Sequence, residues 1–394
     1  MRDYVVENHK PEEQIVIYGA GVYGELCLRA LEQAGICVYA FADRRTDLDE
    51  YFGKKVIRPE EIKTIENVSV LIASKEYIKQ IVDFLKAEKV NNYYCITSLL
   101  ETEWDENKLS FFAKRERQNI YQYGERLAHF EKPFFCINNV DLVLSEVCNL
   151  KCRDCGSLIP YYKRPCHFEM DKIIFYFDRF LQAVDSLTEL RLLGGETFLY
   201  PELVQLVEYY TNHEKVEQIV IYTNAVIRPK QEVMSQLPKD KLLIRISNYG
   251  ELSKNVESMV ADCKEYKIDY EVSEAMIWRD MGGVGRRNYT EDQCREIYEK
   301  CDNARCPSFH KGKLYVCPRA GHGEELGLFK NGPDEYLDFT MDGIDYREHA
   351  SRIEDLLYNR KLFEACYYCN GCNRWAKGIP AAIQVQRGID EYDT

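Results

Sequence analysis

The sequence predicts an α/β chain built on parallel sheets, and three observations carry that prediction. Short apolar runs alternate with helically spaced segments across residues 12–100 and again across 134–298. Glycines and small polar residues stand directly after the apolar runs, where α/β folds keep their sites. The alternation stops in 299–394, which is rich in cysteine and loop residues. Strands that alternate with helices pair in parallel through right-handed crossovers. The expected organisation is a small α/β unit at 1–100, a helical connector at 101–133, a larger α/β unit at 134–298 and a cysteine-rich unit at 299–394.

In the first unit, Ile15-Val16-Ile17-Tyr18 is a short buried strand, and Gly19-Ala20-Gly21-Val22-Tyr23-Gly24 opens a helix to about Ala34. Cys37 to Phe41 is a second strand, with Asp43 just past its end. Val68 to Ala73 is a third strand, Glu76 to Lys89 a helix, and Tyr93 to Ile96 a fourth strand. Gly19-x-Gly21-x-x-Gly24 between strand and helix is the setting of a diphosphate-binding fingerprint. The first glycine makes the turn and the second admits a pyrophosphate at the helix N-terminus. Asp43, 19 residues beyond Gly24, is near the place of a ribose-binding acid. About four strands are too few for a complete dinucleotide fold. The expectation is a nucleotide or nucleotide-sugar at Gly19, Gly21, Gly24 and Asp43. Redox-active NAD and a vestigial or docking domain are the alternatives.

The stretch from Glu101 to Lys132 is charged and helical in pattern. In the second unit, Val143-Leu144-Ser145 ends a strand, and Ile173, Ile174, Phe177, Phe180, Leu181 and Val184 recur at helical spacing. Leu190-Arg191-Leu192-Leu193 is a strand leading straight into Gly194. Ile219 to Tyr222 ends at Thr223-Asn224, Leu242 to Ile246 ends at Ser247-Asn248, and Ile268 to Val272 is a fifth strand.

A formal charge of −13 argues against a nucleic-acid partner, which would ask for a basic stripe. No apolar run reaches the roughly 20 residues of a membrane span, and the start Met1-Arg2-Asp3-Tyr4 has no signal-peptide core. A cytoplasmic, reducing setting is expected. The 16 cysteines then read as metal ligands and free thiols, not disulfides. Cys27, Cys37, Cys95, Cys136, Cys166, Cys263 and Cys294 stand apart from the cysteine groups, mostly in apolar runs that predict burial.

Cys148, Cys152 and Cys155 form C-x3-C-x2-C on a loop after a strand. Three thiolates at this spacing suit a [4Fe–4S] cluster held at three of its four irons, leaving one iron open. A structural zinc site or a set of free thiols is the alternative. Downstream, Leu193-Gly194-Gly195-Glu196-Thr197-Phe198 joins two small residues, which let backbone approach closely, to a carboxylate suited to an ammonium.

These motifs together resemble the radical S-adenosylmethionine (SAM) superfamily. The resemblance covers about residues 136–375 and implies a partial (β/α)6 barrel. It further implies a SAM-chelating cluster at Cys148, Cys152 and Cys155, and a SAM amino group held at Gly194, Gly195 and Glu196. An external one-electron donor such as flavodoxin or ferredoxin is implied as well. Thr223, Asn224, Ser247 and Asn248 match strand-end groups that contact SAM in that family; helix capping is their ordinary use. Thr197 stands where the family usually has proline, and Asp154 where an aromatic usually precedes the third cysteine. The first unit, in turn, looks like small Rossmann-like domains attached to sugar-modifying and capsule-type enzymes.

Cys301, Cys306, Cys317, Cys366, Cys369 and Cys372 form a second group, with C-x10-G-x4-C through Gly312 and then C-x2-C-x2-C. It looks like the single auxiliary-cluster (twitch/SPASM-like) domain of many radical SAM enzymes. Six cysteines cannot fully ligate two clusters at about four each. One auxiliary [4Fe–4S] cluster at Cys301, Cys317, Cys366 and Cys369 is expected, with Cys306 and Cys372 as alternates and zinc as the competing occupant. Tyr161, Tyr162, Cys166, His167, Trp278, Arg279 and Asp280 are candidate pocket residues. Gly282 to Arg287 reads as a flexible loop, and His310 and His322 read as surface residues. The functional expectation is hydrogen abstraction from a small substrate, a nucleotide-linked sugar or related metabolite. A peptide-modifying enzyme and a non-catalytic Fe–S sensor or scaffold are the alternatives.

Overall fold

Gln14–Tyr18 (β1) is fully apolar beyond its first residue, and such a run needs cover on both faces. It lies inside a six-stranded sheet of order β3-β4-β2-β1-β5-β6. The others are Val38–Ala42 (β2), Glu50–Tyr51 (β3), Lys54–Ile57 (β4), Val68–Ile72 (β5) and Tyr93–Tyr94 (β6). β1 pairs in parallel with both β2 and β5, so the strand order reverses beside it. That reversal places the glycine turn at a topological switch point. Val22–Gln33 (α1) and Ile78–Ala87 (α2) cover the sheet. The structure, a computed structural model, describes residues 1–45, 48–117, 120–128, 130, 135–372 and 377–385. It divides into two units, Met1–Phe134 and Phe135–Thr394.

The expected four strands are six. The addition is the β3–β4 hairpin, turned at Phe52 and Gly53, both with positive φ. The expected connector is also part of the first unit's core. After Thr97–Leu100 (α3), the helices Phe111–Glu116 (α4) and Tyr121–Ala128 (α5) bring buried Ala113 and Tyr123 against the sheet. The buried carboxylate of Glu25 accepts hydrogen bonds from Ser110 N (2.6 Å) and Oγ (2.5 Å). Trp104 donates to the Leu26 carbonyl, and the Tyr123 hydroxyl to the Ile72 carbonyl. The connector's expected end, 131–133, and residue 134 lie outside the described residues.

The second unit holds Cys136–Val143 (β7), Ser186–Leu193 (β8), Val216–Thr223 (β9), Leu242–Asn248 (β10) and Asp269–Glu274 (β11), parallel and in sequence order. Met170–Gln182 (α6), Leu203–Thr211 (α7), Gln231–Gln236 (α8) and Val256–Tyr266 (α9) make the crossovers. Val140, Leu142, Leu190, Leu192, Ile219, Ile221, Ile244 and Ile246 share one buried core with helix residues such as Phe177, Leu206 and Met259. Past β11 come the short Ile277–Arg279 (β12) and Glu291–Glu299 (α10). The sheet itself continues beyond β7 with Ser308–His310 (β13), parallel to β7, then antiparallel Lys313–Tyr315 (β14) and Tyr336–Asp338 (β15).

Residues 299–372 therefore extend the same sheet and core, with Phe309, Leu314, Phe339, Ile353 and Phe363 inside it. Pro318–Glu325 (α11) and Tyr346–Glu354 (α12) complete this part, and Gly378–Pro380 (β16) pairs with β12. Among the described residues no helix is long and apolar enough to cross a membrane. His310 and His322, expected at the surface, are buried, with ring centroids 4.6 Å apart. β13 lies between β7 and β14, so every residue of it is covered despite the flanking lysines. Of the seven separate cysteines, Cys27, Cys95, Cys136, Cys263 and Cys294 are buried, while Cys37 and Cys166 are exposed.

Candidate functional site

The cysteine loop leaves the C-terminal end of β7 and is fastened to the glycine loop at the end of β8. Gly195 N donates to Ser145 O and Glu196 N to Val147 O, each at 2.9 Å. A Cβ on Gly194 would stand 2.3 Å from Ser145 O, and one on Gly195 only 1.9 Å from Val147 O. The two glycines thus let backbone meet backbone. A second strip supports the loop from beneath: Glu146 N and Phe168 N bond Cys166 O and Leu144 O, and Ser145 Oγ lies 2.8 Å from His167 Nδ1. This is where Cys166 and His167 act.

Cys152 is buried, while Cys148 and Cys155 are half-buried. Burial pushes the Cys148 thiol up to about 12 and the Cys152 thiol up to about 11, and the neighbouring thiolates push in the same direction. Thiolates collected in a poorly hydrated place are unfavourable alone and favourable on a metal, which takes the deprotonated form. Leu150 N (3.4 Å) and Gln384 Nε2 (3.2 Å) donate to the sulfurs of Cys148 and Cys152. Among the described residues no three His, Cys, Asp or Glu side chains form a group that could hold a single metal ion. A cluster bonds each thiolate to a different iron, and the donor set, three thiols on one loop with amide donors to each of them, fits that use.

Glu196 is 1% exposed. Burial raises its carboxyl above the usual range, opposed by hydrogen bonds from Asn224 N (2.9 Å), Thr223 Oγ1 (2.8 Å) and Phe198 N (3.2 Å). Thr223 and Asn224, at the end of β9, are therefore Glu196's own partners. The Asn224 amide also donates to Asn149 Oδ1 at 2.8 Å, inside the cysteine loop. At the end of β10, Ser247 O accepts from Ser253 Oγ (3.2 Å). Asn248 Nδ2 donates to Glu274 (3.0 Å), and its Oδ1 accepts from Gly250 N. The Trp278 ring meets the Tyr249 ring edge-on, and both pack on the cysteine loop.

The sheet face opposite the helical core carries a band of polar side chains beside buried Val220 and Leu243. Asp141 on β7, Glu189 and Arg191 on β8, Arg245 on β10 and Glu271 on β11 form one charged row, joined across β9 by Arg245 to Glu189 at 3.8 Å and by Tyr222, whose hydroxyl meets Arg245. Arg191 bonds Glu189 at 2.7 Å and Arg245 bonds Glu271 at 2.8 Å. Burial raises the Asp141 carboxyl to about 7, with Arg191 pulling it down and Glu189 pushing it up. Apolar flanking residues concealed this row in the sequence; its alternation with Val140, Leu142, Leu190 and Leu192 was the available signal.

The second cysteine group is assembled from distant segments. Cys301 follows α10, Cys317 caps α11, and Cys366 and Cys369 lie in the closing loop. Gly312, the glycine of C-x10-G-x4-C, turns the β13–β14 hairpin with positive φ and so sets the return of Cys317. Burial raises the thiols of Cys301, Cys366 and Cys317 (the last to about 12), and the nearby Cys369 adds to the rise in each. Cys306 instead faces Arg191, 3.9 Å from its Nη1. Cys372 offers its backbone N to Cys301 Sγ at 3.3 Å. The loop Gly282–Arg287 is fastened here, not free: Arg287 N bonds Tyr367 O at 2.6 Å, and Gly283 O accepts from buried Arg319. Tyr162 Oη stands 2.7 Å from His322 Nδ1.

In the first unit, Gly19 and Gly24 are packed, with an added Cβ 2.7 Å from Ala73 O and 2.1 Å from Gly19 O respectively. Gly21, which precedes α1, has nothing within 4 Å of its Cβ position. Asp43 accepts from Ala20 N at 2.9 Å and pairs with Arg45 at 3.0 Å. Burial would raise its carboxyl, but the Arg45 and Ala20 hydrogen bonds win and hold it below the usual range. Arg45 also donates to Ala20 O, and Tyr51 Oη to Gly21 O.

The family described as C2185-like, N-terminal, matches residues 11–96. No curated protein matches the chain. Among solved structures, the chain is similar to native anSMEcpe with bound AdoMet at 19% identity and TM-score 0.28, over 34% of this chain and 42% of that one. BtrN in complex with AdoMet and 2-DOIA gives 12% identity and TM-score 0.36, over 61% and 94%. SuiB of Streptococcus suis bound to precursor peptide SuiA gives 18% and 0.24, over 50% and 52%. The chain spans less than half the length of the anSMEcpe chain it matches.

Proposed function

We propose that this chain is a radical SAM enzyme acting on a small polar substrate, with a second cluster and a nucleotide-binding first unit. The observation that carries the reading is the fastening of a three-cysteine loop to a Gly-Gly-Glu loop whose buried carboxylate, Glu196, lies within electrostatic reach of Cys148. When bound, a [4Fe–4S] cluster with one open iron supplies the electron that cleaves SAM to a 5′-deoxyadenosyl radical. Cys148, Cys152 and Cys155 would hold that cluster.

The chain's own residues supply binding, orientation and exclusion of water. Glu196, fixed by Thr223, Asn224 N and Phe198 N, offers a preorganised acceptor to an ammonium. Its raised pKa falls back when a cation arrives, so binding and ionisation favour each other. Asn224 spans Glu196 and Asn149 and keeps the loops in register. The charged row Asp141–Glu271 suits a polar, hydroxylated substrate better than an apolar one. Cys301, Cys317, Cys366 and Cys369 would hold the auxiliary [4Fe–4S] cluster, whose full ligation suits electron acceptance. Open Gly21 at the N-terminus of α1 supports a diphosphate there, consistent with a nucleotide-sugar substrate.

Metal analysis tests the reading. Anaerobically reconstituted protein is expected to hold about eight irons and eight sulfides, and Cys148→Ala/Cys152→Ala/Cys155→Ala about four of each. Zinc in place of iron at the second group would remove its electron-acceptor role.

A further inference from the structure

Residues 377–385 return from the far end of the sequence to lie across the cysteine loop. β16 pairs antiparallel with β12, and Ala381 N bonds Met276 O at 3.0 Å. The strand then crosses the loop, with Arg153 N donating to Ile383 O (2.8 Å) and Val385 N to Lys151 O (2.9 Å). Ala382 is buried against Leu150 and Cys152. Gln384 completes the clasp with both ends of its amide. Its Oε1 accepts from Lys151 N at 2.7 Å, and its Nε2 donates to Cys152 Sγ at 3.2 Å and to Ala382 O at 2.7 Å. The side chain cannot rotate without losing three hydrogen bonds.

We infer that this strap is a built part of the metal site, and that Gln384 is a positioning residue that tunes the cluster through Cys152. The inference rests on the reading of Cys148, Cys152 and Cys155 as cluster ligands. Hydrogen bonds to ligand sulfur stabilise the more negative, reduced cluster and so raise its reduction potential. Outer groups that orient a metal ligand are typically worth about ten- to a hundredfold in affinity or activity when removed. The same strap packs over Cys152 through Ala382 and limits water at that corner.

Two variants test this in the reconstituted protein. Gln384→Met keeps the size and removes the N–H donor. Gln384→Glu keeps an acceptor for Lys151 N but turns a carboxylate oxygen toward the Cys152 sulfur. The readout is the midpoint potential of the three-cysteine cluster, followed by electron paramagnetic resonance, with iron content and chelator-driven iron loss alongside. The inference predicts a lower potential in Gln384→Met, a larger drop in Gln384→Glu, and faster iron loss in both. Unchanged potential and iron loss in variants with full iron would overturn it while leaving the proposed function standing. A wild-type chain that takes up no iron at Cys148, Cys152 and Cys155 would overturn the proposed function first, and the inference with it.

Discussion

The two glycine turns look alike in sequence and behave differently in the structure. Each follows a parallel strand and precedes a candidate ligand. Gly194 and Gly195 are required by protein: an added Cβ would run into the backbone of Ser145 and Val147. Gly21 is required by nothing within 4 Å. A glycine pressed on backbone is explained by folding, whereas an open glycine before a helix is free for a ligand. The Gly-Gly pair therefore serves the assembly of the cysteine loop, and Glu196 is the group of that turn proposed to meet a ligand.

The contrast between the turns breaks most visibly at Gly195. Gly195→Val should destabilise the second unit by about 3 kcal/mol or more, since overpacking here meets fixed backbone, and iron uptake at Cys148, Cys152 and Cys155 should fail with it. Thermal unfolding and iron analysis check both. Gly21→Val is the counterpart. Its stability should stay within about 1 kcal/mol of wild type, the scale of an N-cap change, while any diphosphate ligand of the first unit is lost. Calorimetric titration with nucleotide-sugars and NAD reads this, and binding that survives the added side chain would remove the diphosphate from Gly21.

Glu196→Gln sharpens the assignment of the second turn. Losing one charge-assisted hydrogen bond costs about 1.5–3 kcal/mol, roughly a ten- to hundredfold weaker SAM affinity. Unaltered affinity would reduce the whole Gly194–Glu196 segment to a packed turn. The smallest expected effect is on pH. Because the folded-state pKa of Glu196 is raised, its contribution to stability is full below the ordinary glutamate value and is lost as pH rises through the raised one. The pH–stability profile of the unliganded protein should therefore flatten in Glu196→Gln.

β1, β2 and β5 were legible as nearly continuous apolar runs, and β7–β10 by apolar residues that alternate with polar ones, while β11 starts and ends a little later than the expected Ile268 to Val272. The β3–β4 hairpin was not, since Phe52-Gly53 lacks the usual Asn-Gly or Asp-Gly signal. Segment 101–128 reads as charged, yet a few large residues, Trp104 and Tyr123 above all, decide its packing. His310 misled because the lysines after it suggested solvent, whereas β13's place inside the sheet buries it, and His322 on α11 is buried against its ring. In the site, residue types at strand ends were readable but their partners were not. Thr223 and Asn224 point to Glu196, and Asp43 to Ala20 and Arg45. Gln384 lies 232 residues from Cys152, beyond the reach of any local pattern.

The central claim is that the loop of Cys148, Cys152 and Cys155 carries SAM chemistry. It is tested most directly by reducing the anaerobically reconstituted protein, adding SAM and quantifying 5′-deoxyadenosine. 5′-Deoxyadenosine is expected from the wild-type chain and none from Cys148→Ala/Cys152→Ala/Cys155→Ala, which should still take up about four irons at the proposed second cluster. A wild-type chain with full iron that leaves SAM uncleaved would contradict it.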